Sequence, residues 1–302
     1  MKIAVTGATG FIGKELTQFF LEKGYEVVGI SRTSNSTQQP AVPFITWEKL
    51  ESQPTLLENV DAIVNLAGES IDQRWTKTAK ERILGSRLTV AERLKHVVSQ
   101  LGQKPKVLVN ASGISIYGIS ETETFDENSP ACITDFLASV VEKWEEAVDQ
   151  IPIDRTVKLR IGVVLGNRGG AYPKMILPYK WGVGGRVGSG RQWLSWIHIE
   201  DMVRLIEFCI NNENIEGPVN ATAPNPVTND QFGRTVAQIL KRPHWFPVPA
   251  ALMKLIFGEL SVLLLEGQRV IPKKLLDHGF QFYYPTILDA VKDLYRCERE
   301  NP

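Results

Sequence analysis

Gly7, Gly10 and Gly13 stand three residues apart directly after the apolar run "KIAVT", and that spacing suits chemistry done by the backbone. The first glycine permits a tight turn, the second lets the main chain approach a pyrophosphate, and the third lets a helix pack closely on a strand. A helix starting there offers free N–H groups and a partial positive charge to phosphates. Further on, "EVVGIS" ends in Ser31-Arg32. An NAD site places an acidic residue here for the ribose 2′-OH, whereas a hydroxyl and a guanidinium suit a 2′-phosphate. The expected cofactor is therefore NADP(H). "NLAG" at 65–68, a small-residue segment after a strand, extends the same site. The four histidines lie far apart and neither CxxC nor HExxH occurs, so no metal site is expected.

These residues need elements to hold them. "KIAVTG" reads as a buried parallel strand, and Ile12, Leu16, Phe19 and Phe20 then fall at helical spacing. Gly24 ends that helix and "YEVVGISR" makes a second strand, so residues 2–32 form one βαβ unit. Further strands at 43–48, 61–68, 106–112 and 156–166 alternate with helices over 75–101 and 136–148. The alternation predicts an α/β fold, a Rossmann-type doubly wound parallel sheet. After Gly166 the texture turns to Gly, Pro and aromatics, with Gly182, Gly184, Gly185, Gly188 and Gly190 in one cluster. No helix start follows the cluster directly, so it predicts turns and hairpins and not a second phosphate cradle. Pro-punctuated helices follow from Asn225. Residues 1–166 plus 197–224 are thus assigned to an NADP-binding domain, and 167–196 plus 225–302 to a smaller C-terminal, substrate-side domain.

Composition narrows the partners. The 34 basic residues balance the 34 acidic ones, a neutrality that gives no electrostatic footprint for nucleic acid or a membrane surface. No apolar run approaches the ~20 residues that span a bilayer. Met1 leads straight into a strand, without the pattern of a secretory leader. Cys132, Cys209 and Cys297 are isolated, as suits a reducing compartment. The expected location is the cytoplasm, and the expected partner a small-molecule substrate.

"TGATGFIG", "NLAG", the "SxxxxYG" of Ser112 to Gly118 and "GSGRQWLSWIHIEDM" at 188–202 together resemble the extended short-chain dehydrogenase/reductase superfamily. More closely, "NLAGE", "LGSR" (84–87), "FLASVVEKWE" (136–145) and "LLEGQRVIPKKLLDHGFQF" resemble its atypical NADP-binding epimerase-family subgroup, which carries a C-terminal domain of unknown function. The resemblance runs nearly end to end. It implies NADPH contacts on Thr6, Gly7, Gly10, Phe11, Ile12, Gly13, Ser31, Arg32, Leu66, Ala67, Gly68, Arg82, Arg87 and Val164. Read without it, Arg82 and Arg87 are simply exposed helix cations.

Extended members of the superfamily act through a Tyr-x-x-x-Lys pair on one helix face, the lysine lowering the tyrosine pKa, with a Ser or Thr at the end of the preceding strand. Four residues beyond the tyrosines at 25, 117, 172, 179, 283, 284 and 295 stand Gly29, Glu121, Ile176, Val183, Ile287, Leu288 and Arg299. None is lysine. Where the pair belongs, the chain has Phe136 and Val140, and the usual serine position falls on Gly113, with Ser112 and Ser115 as neighbours. Phenylalanine donates no proton. The groups left near the nicotinamide are Tyr117, Ser112, Glu69 and His198, of which Tyr117 and Ser112 are the catalytic candidates. His198 is expected to be a hydrogen-bonded structural residue before a helix capped by Asp201. Three readings follow: an NADP(H)-dependent oxidoreductase or nucleotide-sugar epimerase-like enzyme with a replaced acid/base group, a non-catalytic NADPH-binding sensor, or a bare scaffold. The intact phosphate turn argues against the last.

Overall fold

The computed structural model describes residues 1–33 and 41–300. In chain order it runs β1 (Lys2–Thr6), α1 (Phe11–Glu22), β2 (Glu26–Ser31), β3 (Phe44–Thr46), α2 (Trp47–Ser52), β4 (Ala62–Asn65), α3 (Lys77–Ser99), β5 (Val107–Gly113), β6 (Thr124–Phe125) and α4 (Phe136–Val148). Next come β7 (Thr156–Ile161), β8 (Val163–Leu165), α5 (Tyr172–Lys180), β9 (Trp193–Leu194), β10 (Trp196–His198), α6 (Ile199–Asn211) and β11 (Gly217–Ala221). The remainder is β12 (Val227–Thr228), α7 (Asn229–Leu240), α8 (Ala250–Phe257), α9 (Val262–Leu265), β13 (Arg269–Val270), α10 (Lys273–Asp277) and α11 (Ile287–Glu300).

Seven strands form one parallel sheet in the order β11-β7-β5-β4-β1-β2-β3. The period-2 alternation of each strand feeds two separate cores. Val5 and Val64 pack with Leu16 and Phe20 of α1 and Met202 and Ile206 of α6. Ala4 and Ile63 face the other way, onto Leu50, Leu94, Val98 and Trp144 of α2, α3 and α4. The strand order reverses between β1 and β4, and it is at such a switch point that ligands bind, outside the carboxyl ends of the strands.

The sequence expectations need four corrections. The strand expected over 156–166 breaks at Gly162, where a Cβ would come within 2.5 Å of the Ser195 carbonyl. Its second half leaves the sheet and pairs with β10. The strand expected over 43–48 stops at Thr46, whose side chain caps α2 by accepting from Lys49 N. Asp201 does not cap α6. His198 does, through Nδ1, while the buried Asp201 carboxylate accepts the backbone N–H groups of Tyr283 and Tyr284. The helix over 75–101 is shorter than its pattern, because Thr76 caps it at Ala79 N.

The C-terminal segments pack back against the core beside the sheet. α5, α7 and α11 enclose their own core of Tyr172, Ile176, Phe232, Val236 and Val291. Beyond it β13 pairs in parallel with β6, and Leu275 and Phe280 fill the core that also holds Val5 and Val64. Glu127 accepts from the backbone N–H of both Asn220 (3.0 Å) and Lys274 (3.1 Å). No helix among the described residues is long and apolar enough to cross a membrane.

Candidate functional site

At two of its three glycines the turn after β1 admits no side chain. Gly7 has φ +69°, and a Cβ there would lie 2.7–2.9 Å from the main chain of Leu66 and Ala67. A Cβ on Gly13 would sit 2.2 Å from the Gly7 carbonyl. At Gly10 the nearest atom is 3.2 Å away, so its position is kept open towards the outside. The first intrahelical bond runs from Lys14 N to Gly10 O, and no side chain caps α1. The amides of Phe11, Ile12 and Gly13 therefore stand at a helix N-terminus with no acidic residue in its first turn.

Neighbouring strands bring the other cofactor candidates to this turn. Thr6 pairs with Ile30 on one side and Asn65 on the other, so Ser31-Arg32 and Leu66-Ala67-Gly68 both emerge beside Gly7. The Thr6 hydroxyl donates to Asn65 Oδ1, the Asn65 amide donates to Asn110 Oδ1, and Ala67 N donates to Thr6 Oγ1 at 3.3 Å. This chain of buried side chains fixes the strand ends. Arg32 is exposed, and the Ser31 hydroxyl donates to the Thr33 carbonyl. Phe11 turns its ring away, into a recess made by Gly166, Gly169 and Gly170 next to Val164.

The two helix arginines differ. The guanidinium of Arg87 lies 3.0 Å from where a Gly68 Cβ would be, donates to the carbonyls of Glu69 and Ile83, and stacks over Trp144 at 5.0 Å. Burial lowers its pKa to about 10, which leaves it cationic at neutral pH. Arg82 is exposed and donates to Gln73 Oε1 at 3.0 Å, with Glu69 3.9 Å away.

At the carboxyl end of β5 the side chains tell another story. Phe136 opens α4 with its ring edge-on to Trp75 at 5.5 Å, and Lys80 Nζ lies 5.2 Å from its centroid, ion-paired to Glu259. Val140 is buried with Ile83 and Leu137, and Leu260 and Val262 pack against the same cluster. The place of the tyrosine–lysine pair is thus apolar. Ser112 donates to Glu145 Oε1 at 2.6 Å, and Glu145 holds Arg160 at 2.9 and 3.0 Å. Arg160 donates to the Tyr117 hydroxyl at 3.0 Å, which donates in turn to Asn220 Oδ1 at 2.7 Å. Tyr117 is 1% exposed and stacks on Phe125. Burial pushes its pKa up, against the pull of Arg160. The two catalytic candidates are therefore joined in one buried network through Glu145 and Arg160, residues the sequence reading did not single out.

His198 sits elsewhere, buried under the Tyr284 ring at 3.9 Å. Desolvation lowers its pKa to about 4, with Asp293 3.5 Å away pulling upwards, so it is neutral at pH 7. Glu69 accepts from Gln73 Nε2 at 3.3 Å and lies 3.9 Å from Arg82. In the C-terminal part an open depression of about 890 Å³ is lined by Arg186, Ser189, Arg191, Asp230, Arg234 and His244 among others. There Asp230, His244 and Tyr179 form a hydrogen-bonded chain, at 2.9 and 3.1 Å.

The NAD dependent epimerase/dehydratase family model matches residues 3–221, and a domain of unknown function, DUF1731, matches 248–294. The epimerase family protein YfhF of Bacillus subtilis is 42% identical over 297 residues, covering 97% of this chain and 98% of that protein. Human SDR39U1, also named an epimerase family protein, is 38% identical over 97% of this chain and 99% of its own length. A crystal structure of human SDR39U1 (isoform 2) with NADPH superposes with a TM-score of 0.91, at 38% identity over 98% of this chain and 99% of that one. The UDP-glucose 4-epimerase of Thermus thermophilus shares the fold, with a TM-score of 0.75 at 19% identity over 98% and 99% of the two chains. Since the family match spans every strand of the seven-stranded sheet and the relatives align through the C-terminal segments as well, this chain belongs to the NAD dependent epimerase/dehydratase family, in the branch that carries DUF1731.

Proposed function

We propose that the chain binds NADP(H) at the β1 turn, as an atypical short-chain dehydrogenase/reductase whose oxidoreductase or epimerase-like reaction runs without a Tyr-x-x-x-Lys pair. The observation that carries the reading is the uncapped N-terminus of α1, set against Gly7 and Gly13, which admit no side chain, with Ser31-Arg32 emerging beside it. The amides of Phe11, Ile12 and Gly13 hold the pyrophosphate, Arg32 and Ser31 hold the 2′-phosphate, and Leu66, Ala67 and Gly68 line the adjoining edge. Arg87 adds positive charge to that edge from beside Gly68. The Val164 carbonyl lies beside Gly170, in the recess that holds the Phe11 ring. The cofactor's contribution is a hydride at the nicotinamide. Residues 167–196 and 225–302 form the substrate side, where the arginine-lined depression lies. The site works in a reducing, cytoplasmic setting on a small molecule.

A second reading, a non-catalytic NADPH sensor, is favoured by one observation. Phe136 and Val140 sit in an apolar cluster, and the hydroxyls of Ser112 and Tyr117 are both committed to the Glu145–Arg160 network. Calorimetric titration of NADPH and NADH, run beside NADPH oxidation over a panel of carbonyls and sugar nucleotides, separates the readings. Tight NADPH binding with turnover of a sugar nucleotide or an elaborated carbonyl supports the enzyme, and binding without turnover of any of them supports the sensor. Equal affinity for both cofactors would sink the NADP(H) assignment.

A further inference from the structure

Among the described residues, eight of the fourteen exposed large apolar side chains fall in just two stretches, 177–191 and 241–258: Leu177, Trp181, Val183, Trp245, Phe246, Leu252, Leu255 and Ile256. Neither stretch contains an Asp or Glu, yet together they carry Lys180, Arg186, Arg191, Lys241, Arg242 and Lys254. In a chain whose acids and bases balance overall, that is a strong local segregation.

The two stretches make one surface. Trp245 N and Phe246 N donate to the Gly184 carbonyl at 3.0 and 3.2 Å, the Trp245 indole N–H donates to Gly182 O, and Val248 N donates to Arg186 O at 2.9 Å. Residues 245–248 thus run alongside 182–188. α8 then follows directly from Pro249. Within it Leu252, Leu255 and Ile256 fall at i, i+3 and i+4 and all face outwards, while Met253 is buried. The exposure is extreme for such residues: Leu255 is 79% exposed, Trp181 71% and Trp245 69%. Apolar patches of this extent, rimmed by polar groups, mark interaction surfaces.

The charge pattern selects the partner. Lys180 is paired with Glu298 and Arg191 with Glu121, but Arg186, Lys241, Arg242 and Lys254 have no carboxylate within 4 Å among the described residues. A two-fold contact between copies would set these unpaired cations against each other. A helix with leucines and isoleucine outward, aromatic residues beside it and a lysine and arginine rim is what lies in the headgroup region of an anionic bilayer. Indole rings favour that boundary, and lysine stems reach back to the phosphates.

We propose that the face formed by residues 177–186 and 241–256 docks this protein peripherally on an anionic phospholipid surface. Neutrality of the whole chain hides the cluster, which is why the overall charge pointed away from membranes. The proposal is independent of the cofactor reading.

Flotation of the full chain with vesicles of phosphatidylcholine alone, or of phosphatidylcholine with an equal share of phosphatidylglycerol, is the direct test. The protein should float with the anionic vesicles at low salt and not with the neutral ones, and brominated acyl chains should quench its tryptophan emission. Lys241→Glu with Arg242→Glu should lower partitioning roughly tenfold or more, and Leu255→Glu with Ile256→Glu should do the same by removing the inserted side chains. All four side chains are exposed, and a thermal melt checks that each variant folds; should the α8 variant misfold, the charge variant still decides. Equal flotation with both vesicle types, or none with either, would overturn the proposal. So would a dimer in sedimentation equilibrium that Leu255→Glu dissociates while flotation is absent, since a second copy would then cover the face.

Discussion

At the carboxyl end of β1 the site is made of main chain, and at the carboxyl end of β5, two strands away, it is made of side chains. Around β1 the constraints are Gly7, Gly13 and an uncapped helix end, where added atoms collide at 2.2–2.9 Å. Around β5 the strand end carries Ser112, with Tyr117 just beyond it and Phe136 and Val140 on α4, all packed or bonded into the protein. A backbone cradle cannot exchange residues without losing its shape, whereas a side-chain site can swap a tyrosine for a phenylalanine at little structural cost. The phosphate turn can therefore stay intact beside a catalytic position that has been filled in.

Four measurements break or sharpen that contrast. The largest effect belongs to the β5 side. Glu145→Ala leaves Arg160 buried without its partner, which costs about 3–5 kcal/mol of stability. Urea denaturation measures it. A loss under about 1 kcal/mol, or lost turnover with unchanged stability, would make the network functional and not structural.

On the β1 side, Gly10→Val should abolish NADPH binding, at least about a hundredfold by fluorescence titration, because the side chain takes the space of the pyrophosphate. Its melting temperature should hold, since the only close atom is the Gly7 carbonyl. Normal binding would give the turn another purpose.

A smaller loss is expected from Arg32→Ala. Removing a charge-assisted bond to the 2′-phosphate costs about 1.5–3 kcal/mol, or tenfold and more for NADPH, with NADH hardly affected. Calorimetry that finds equal losses would disconnect Arg32 from the cofactor.

Least of all should change with Phe136→Tyr combined with Val140→Lys. NADPH affinity should stay within about twofold, because the altered residues belong to the other edge. Wild-type turnover on simple carbonyls should lie near background, as a positioned acid/base group is worth about 10²–10⁴-fold. Rapid wild-type reduction would refute this and direct attention to Tyr117, whose Phe variant should then lose activity and keep affinity.

Legibility in the sequence follows the same divide. Glycine spacing and the change from period 2 to period 3.6 reveal β1, α1, β2 and a doubly wound parallel sheet, because those signals are local, but they miss the edge strand β11 and leave the strand order to tertiary pairing. The Glu145–Arg160 pair joins α4 to β7 and depends on how a helix sits on a strand, which one sequence does not encode locally. Gly162 reads as one more small residue in an apolar run until the Ser195 carbonyl is beside it. Asp201 has the look of a helix cap, yet its partners, Tyr283 and Tyr284, are some eighty residues on. A neutral total charge carries no information about where charges gather in space.

Leu275 and Phe280 complete the very core that β1 begins, and β13 pairs with β6 far upstream. β1 thus waits for segments far downstream in the chain, at Leu275 and Phe280, before its surroundings are closed. Contacts of such long separation make folding slow and late. A nascent chain stalled before residue 267 should remain open to protease through β1 and α1, and a chaperone that guards apolar strands would find its substrate there.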